Sequence, residues 1–122
     1  VSRLGNILNA IISTKTGTIT PSSGFTFGEV NVKERNGVVI VSGYLYRTNG
    51  NAFGTTEVMV GTVSGVTMPS QIVRIHTGSG NWHYSPFNNA YAALNTAGEI
   101  RVTCQNNTDK RVVFDFEYIV GT

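Results

Sequence analysis

Cysteine is all but absent from this chain: Cys104 stands alone, which excludes an internal disulfide and leaves a thiolate zinc site without partners. In the alternating segment Ile100, Val102, Cys104 the thiol reads as a small buried apolar group. Charge is scarce too, at 13% of the residues against roughly 25% in an ordinary soluble domain. The surface must therefore be dressed with Ser, Thr, Asn and Gly, whose polar groups bond turns and neighbouring strands. The basic residues Arg3, Lys15, Lys33, Arg35, Arg47, Arg74, Arg101, Lys110 and Arg111 are scattered, and the formal net charge is only +2. A concentrated basic stripe that releases counterions from nucleic acid is missing, which argues against such a partner. No run approaches the ~18 apolar residues of a membrane-spanning helix, and membrane insertion is not expected. Val1 to Ile12 is too polar and too lightly charged for a signal peptide. The chain opens on Val1 instead of Met, and we expect it to be a fragment of a longer one.

Catalytic signatures are lacking as well. A glycosidase needs two carboxyl groups facing one another across a sugar. Glu29, Glu34, Glu57, Glu99, Asp109, Asp115 and Glu117 instead alternate with apolar strand positions or fall in a turn, which reads as solvated faces. Nucleophile-elbow, paired-histidine metal and phosphate-cradling glycine motifs do not occur. The expectation is a protein that is not an enzyme, with no cofactor and no metal site. An ion held by loop Asp and Asn oxygens stays open, although no calcium-loop spacing is present.

What the chain does contain, over its 122 residues, is enough for one core. Residues 1–13 begin VSRLGNILNAII, with Leu4, Ile7 and Ile11 at a, d, a spacing and Leu8 and Ile12 on the same helical face. Such a face is too apolar and too short to stand alone, and is expected to be the end of a stalk helix in a trimer; a lone helix packed on its own domain is the alternative. Residues 14–24 read as a Thr, Ser and Gly linker with room for a short strand. Residues 25–122 read as an all-β head.

In that head Phe25 to Arg35 alternates, with Gly28 at a bulge or bend. Asn36-Gly37 is a tight hairpin turn wanting positive φ at both residues. Val38 to Arg47, apolar on both faces at its start, is expected at the centre of a sheet. Further strands are expected over Thr55 to Val63, Gln71 to Thr77, Glu99 to Cys104 and Arg111 to Val120; Asn88 to Leu94 fits a short helix or a strand, and strand is favoured because the turn Asn95 to Gly98 leads on to a clear strand. In the closing strand Val112, Phe114, Phe116 and Tyr118 should face the core. Many short strands with polar turns indicate a β-sandwich or jelly-roll-like class.

The succession of an apolar helix, a Thr-Gly linker, VNVKERNGVVIVSGYLY, VTMPSQIVRIHT, NTAGEIRVTC and a terminal VVFDFEYIV resembles the C-terminal head domains of phage tail-fibre and receptor-binding proteins. Ala97, Gly98, Glu99 and Ile100 match a turn of the family, and the likeness covers roughly Phe25 to Val120. It implies a homotrimer of sandwich heads at a phage tail tip. It also implies adsorption to saccharide or teichoic-acid-like polymer on a bacterial wall, and attachment to other tail or baseplate proteins through the stalk. The missing disulfide suits a virion assembled in a reducing cytoplasm. A trimerisation or capping module with no ligand is the alternative, and a jelly-roll signalling ligand of the animal type a more distant one.

No binding motif is carried by that likeness, so candidate ligand contacts are argued from chemistry. Sugars stack their C–H faces on aromatic rings and pair their hydroxyls with amides and imidazoles. Asn81, Trp82, His83 and Tyr84 form the densest such cluster, in a segment rich in Gly and aromatics where recognition on a rigid scaffold concentrates. His76 is expected to project near the same end, and Asn88, Asn89 and Tyr91, with Phe87, extend the cluster into one shallow groove within or between protomers. The competing reading has Trp82 capping the core or an interface, with His76 an incidental surface residue. The loop Arg47 to Thr55, with Asn49, Asn51 and Phe53, reads chiefly as a structural turn.

Overall fold

The computed structural model describes residues 14–80, 88–105 and 110–121, so the expected stalk helix over 1–13 lies outside the described residues. Among the described residues there is no helix, and nine strands follow one another: β1 (Lys15–Thr16), β2 (Thr18–Pro21), β3 (Phe25–Arg35), β4 (Val38–Arg47), β5 (Val58–Ser64), β6 (Val73–Gly80), β7 (Asn88–Leu94), β8 (Glu99–Cys104) and β9 (Arg111–Ile119). All pair antiparallel, in the order β1-β3-β4-β9-β6-β7-β8-β5-β2. Among the described residues β9 and β6 share two register pairs, Ser79 with Val112 and Gly80 with Arg111, and the Thr77 hydroxyl donates to the Val113 carbonyl at 2.8 Å. The ladder turns a corner there, giving two facing antiparallel layers in a sandwich arrangement: β1-β3-β4-β9 and β6-β7-β8-β5-β2. In the second layer β6, β7 and β8 form a meander and β5 returns beside β8, a Greek-key order.

The period of two decides which side chains lie between the layers. β4 sends in Val39, Val41 and Leu45, and β9 sends in Val112, Phe114, Phe116 and Tyr118. They meet Ala90, Ala92 and Leu94 of β7 and Ile100, Val102 and Cys104 of β8 in one core. The intervening residues of β7 and β8, including Tyr91, Ala93, Arg101 and Thr103, necessarily face outward.

Departures from simple alternation have local causes. The β3–β4 register shifts between Gly28 and Asn31, and Glu29 takes a φ of 52°, so the bend expected at Gly28 is a bulge. Gly28 is required for space: a Cβ there would stand 2.2 Å from Cζ of Tyr44, whose ring covers it. In β5 a second bulge, between Met59 and Gly61, turns both Val60 and Gly61 inward and breaks the alternation expected there. The tight turn at Asn36-Gly37 has φ of 54° and 77°, as both residues of a type I′ turn require.

The segment expected as a linker is part of the fold. β1 pairs with β3, β2 pairs with β5, and only Gly17 separates them, so the two ends of the strand order are consecutive pieces of one stretch of chain. Gly17 donates its N–H to the Val32 carbonyl at 2.9 Å while the chain crosses from one layer to the other. Its Thr and Ser content masked the strand because backbone pairing, not an apolar face, holds it. β5 and β6 likewise start later than expected, and β6 runs on past Thr77 because Ser79 and Gly80 still pair with β7 or β9.

The connection from β5 to β6 is pinned to the first layer. Thr67 donates its backbone N–H to Glu34 Oε1 at 2.7 Å, and the Tyr118 hydroxyl donates to the Thr67 carbonyl at 2.5 Å. The Thr67 N–H holds the Glu34 carboxyl below its ordinary range against the opposing effect of burial, with Lys15 assisting at 3.8 Å. Glu34 is thus one acid that does not sit on a solvated face, contrary to expectation: its side chain is only 13% exposed. Burial, with the Glu34 charge nearby, pushes the Tyr118 phenol up to about 12.

Candidate functional site

Three adjacent strands of the second layer, β6, β7 and β8, present their outward phase as rows of side chains. Arg74 pairs with Ala93 and Ala93 with Arg101; on the next row His76 pairs with Tyr91 and Tyr91 with Thr103. Because Ala93 is short and its neighbours are long, a trough opens between them. It is a cleft of about 280 Å³ lined by Arg74, His76, Tyr91, Ala93, Arg101 and Thr103, with Glu57 at its side.

A hydrogen-bonded ring of polar side chains stiffens one wall. Asn89 Nδ2 donates to Gln105 Oε1 at 2.9 Å, which leaves Asn89 Oδ1 as the acceptor for His76 Nε2, also at 2.9 Å. Nε2 therefore donates in this arrangement. Gln105 Nε2 reaches the Tyr91 hydroxyl at 3.5 Å, and Tyr91 closes the ring by stacking on His76, with centroids 5.1 Å apart and planes 27° off parallel. Cross-strand pairing of two flat rings accounts for that contact. Tyr91 remains 46% exposed, so one aromatic platform is held at a fixed angle over the trough while its surface stays available.

At the other wall Arg101 is shared between carboxylates, 3.7 Å from Glu57 and 3.5 Å from Glu99. Glu99 is itself fixed by Asn95 Nδ2 at 2.7 Å. Asn95 also accepts the Ala97 and Glu99 N–H groups through Oδ1, which shapes the four-residue connection that ends on Gly98 at φ +86°. The turn over Asn95 to Gly98 therefore positions this wall. Among the described residues no group of three or more His, Cys, Asp or Glu side chains is arranged to hold a metal ion.

Of the candidate contacts read from the sequence, the structure brings His76, Asn89 and Tyr91 together. Asn88 opens β7, and its side chain lies outside what the structure describes. Asn81, Trp82, His83, Tyr84 and Phe87 lie outside the described residues. The loop after β4 is structural: Phe53 is buried and stacks on Phe25, Arg47 lies over both rings and bonds the Ala52 and Phe53 carbonyls, and Asn49 caps Asn51 N–H. Arg74, Ala93, Arg101, Thr103 and Gln105 were missed. Their signal was available in the outward phase of three consecutive strands, but it speaks only once those strands are known to be neighbours.

Two other surface features offer less. On the outer face of the first layer Tyr44 and Tyr46 stack, but the Arg111 guanidinium lies 4.3 Å from the Tyr44 ring centre and occupies that face. A cleft of about 400 Å³ between Pro69–Val73 and Tyr118–Ile119 is lined by no charged side chain, and the Tyr118 hydroxyl is committed to Thr67. No protein-family model, curated protein or solved structure matches the chain.

Proposed function

We propose that this domain is a non-enzymatic saccharide-binding head, of the kind that ends a phage tail fibre or baseplate, and that it attaches the virion to sugar on a bacterial surface as a homotrimer. The observation that carries the saccharide reading is the Tyr91–His76 platform, braced by Asn89 and Gln105 beside an open trough. A pyranose has an apolar C–H face for such a ring and hydroxyls for the surrounding amide, imidazole and threonine groups. The two carboxylates at the trough, Glu57 and Glu99, both contact the same guanidinium, which suits a holding role better than proton transfer. The tail-fibre reading is supported by the sequence likeness, and trimer formation by the apolar spacing of residues 1–13.

The experiment is a glycan array and a pull-down on bacterial cell walls with the intact chain, Tyr91→Ala and Trp82→Ala. Loss of one stacking ring should weaken saturable binding by about tenfold, a change of ~1.4 kcal/mol. Tyr91 is exposed, so its variant should melt with the wild type. Absence of wall or glycan binding by the intact chain would favour a capping module, and a monomer in solution would remove the trimer.

A further inference from the structure

We infer that the trough takes an acidic saccharide, with a carboxylate or phosphate oxyanion of the ligand on Arg74 and a sugar ring against Tyr91. The inference rests on the saccharide reading above and adds the charge of the ligand. Register places Arg74 directly across from Ala93, two residues along β7 from Tyr91. Diagonal neighbours of that kind sit roughly 7 Å apart on one sheet face, so a single sugar residue can reach both. The methyl group of Ala93 forms a floor too short to block it.

The two arginines at the trough are not equivalent. Arg101 is already shared by Glu57 and Glu99, and an incoming anion would have to displace them. Arg74 is exposed on the same row, and among the described residues no carboxylate comes within ion-pair distance of it. In the other layer guanidinium groups have internal tasks: Arg47 bonds two carbonyls, and Arg111 lies over tyrosine rings. A guanidinium presents a planar fork of donors that matches the oxygens of a carboxylate or phosphate, and a neutral hydroxyl uses that fork poorly. The side chains lining the cleft carry two guanidiniums, Arg74 and Arg101, against one carboxylate, Glu57, and Arg74 is the guanidinium that no carboxylate contacts among the described residues.

The test is a titration of the 15N-labelled intact chain, followed by amide and arginine side-chain resonances, with three probes: a galacturonate trisaccharide, the same sugar with its carboxyl groups reduced to alcohols, and a glycerol-phosphate oligomer. At low ionic strength at least one of the two acidic probes should bind about five- to tenfold more tightly than the reduced sugar, the gain expected of a charge-assisted contact at an exposed site. The shifts should centre on Arg74, Tyr91 and Ala93. Arg74→Gln should bring the acidic probes down to the level at which the same variant binds the reduced sugar. Raising NaCl from about 20 mM to about 500 mM should act in the same direction. Which acidic probe responds identifies the source of the oxyanion. Equal binding of acidic and reduced sugar, or a preference that survives Arg74→Gln, overturns the acidic-ligand inference and leaves the saccharide proposal standing. No response to any of the three overturns both.

Discussion

Replacing Gly17 by alanine tests whether the crossing strand closes the sandwich. A Cβ at Gly17 would stand 2.4 Å from the Ser64 carbonyl oxygen and 2.7 Å from Cγ1 of Val32. The first neighbour is backbone and cannot rotate away, so the chain must move, and the 2.9 Å bond from Gly17 N–H to the Val32 carbonyl stretches with it. Overpacking of this kind costs about 1 to 3 kcal/mol and the hydrogen bond about 1 kcal/mol more. The stiffer unfolded chain offsets roughly 0.4 to 1 kcal/mol. The net loss should be about 2 to 3 kcal/mol, read in urea unfolding, with a melting temperature lowered by about 8 to 12 °C for a domain of this size. Gly50→Ala is the comparison: its φ of +78° carries a left-handed penalty, yet nothing lies within 4 Å of the added atom. That variant should lose only about 1 kcal/mol. If Gly17→Ala is no less stable than Gly50→Ala, the two-layer pairing of residues 15–21 does not hold the fold as described.

Tyr118→Phe should destabilise by about 1 to 2 kcal/mol in the same unfolding assay, because the Thr67 carbonyl loses its donor. The phenol also predicts an alkaline limb. Its folded value of about 12 exceeds the ordinary 10, so the folded chain keeps a proton that the unfolded chain releases. That contribution, on the order of 2 kcal/mol, is whole below pH 10 and is lost as the pH rises to 12. Superimposable alkaline limbs for wild type and Tyr118→Phe would refute this. Gly98→Ala combines a φ of +86° with approaches of 2.7 Å to Met68 Sδ and 2.8 Å to the Val63 carbonyl. It should cost about 2 to 4 kcal/mol, and thermal melting together with the Val63 amide exchange rate would show it.

The strands that announce themselves in the sequence are those whose burial alternates. β3, β4, β8 and β9 could be drawn almost to the residue from their apolar positions, β7 was favoured over a short helix by the turn and strand that follow it, and the type I′ turn followed from Asn36-Gly37. β1 and β2 could not, since among Lys15, Thr16, Thr18, Ile19, Thr20 and Pro21 only Ile19 is a large apolar residue packed on the core, and one such residue makes no stripe. The β5 bulge was hidden for a related reason: Val58, Val60 and Val63 fit an even spacing only until an extra residue shifts the phase. At the site, aromatic and amide chemistry picked out His76, Asn89 and Tyr91. The arginines, Ala93 and Gln105 were invisible because a trough is a property of strand order. A short residue matters there only for the company it keeps across the ladder.

The crossing at Gly17 also bears on how the domain resists traction. Residues 15–21 are stitched to β3 by their first part and to β5 by their last, so a tug on the chain ahead of Lys15 is transmitted to both layers at once. β2 and β5 share four register pairs, so freeing residues 18–21 means breaking that ladder as well as the two pairs of β1 with β3. Under the proposed role, in which the head is tethered ahead of Lys15 and binds through the outer face of β6, β7 and β8, load would enter at a stretch of chain paired to both layers.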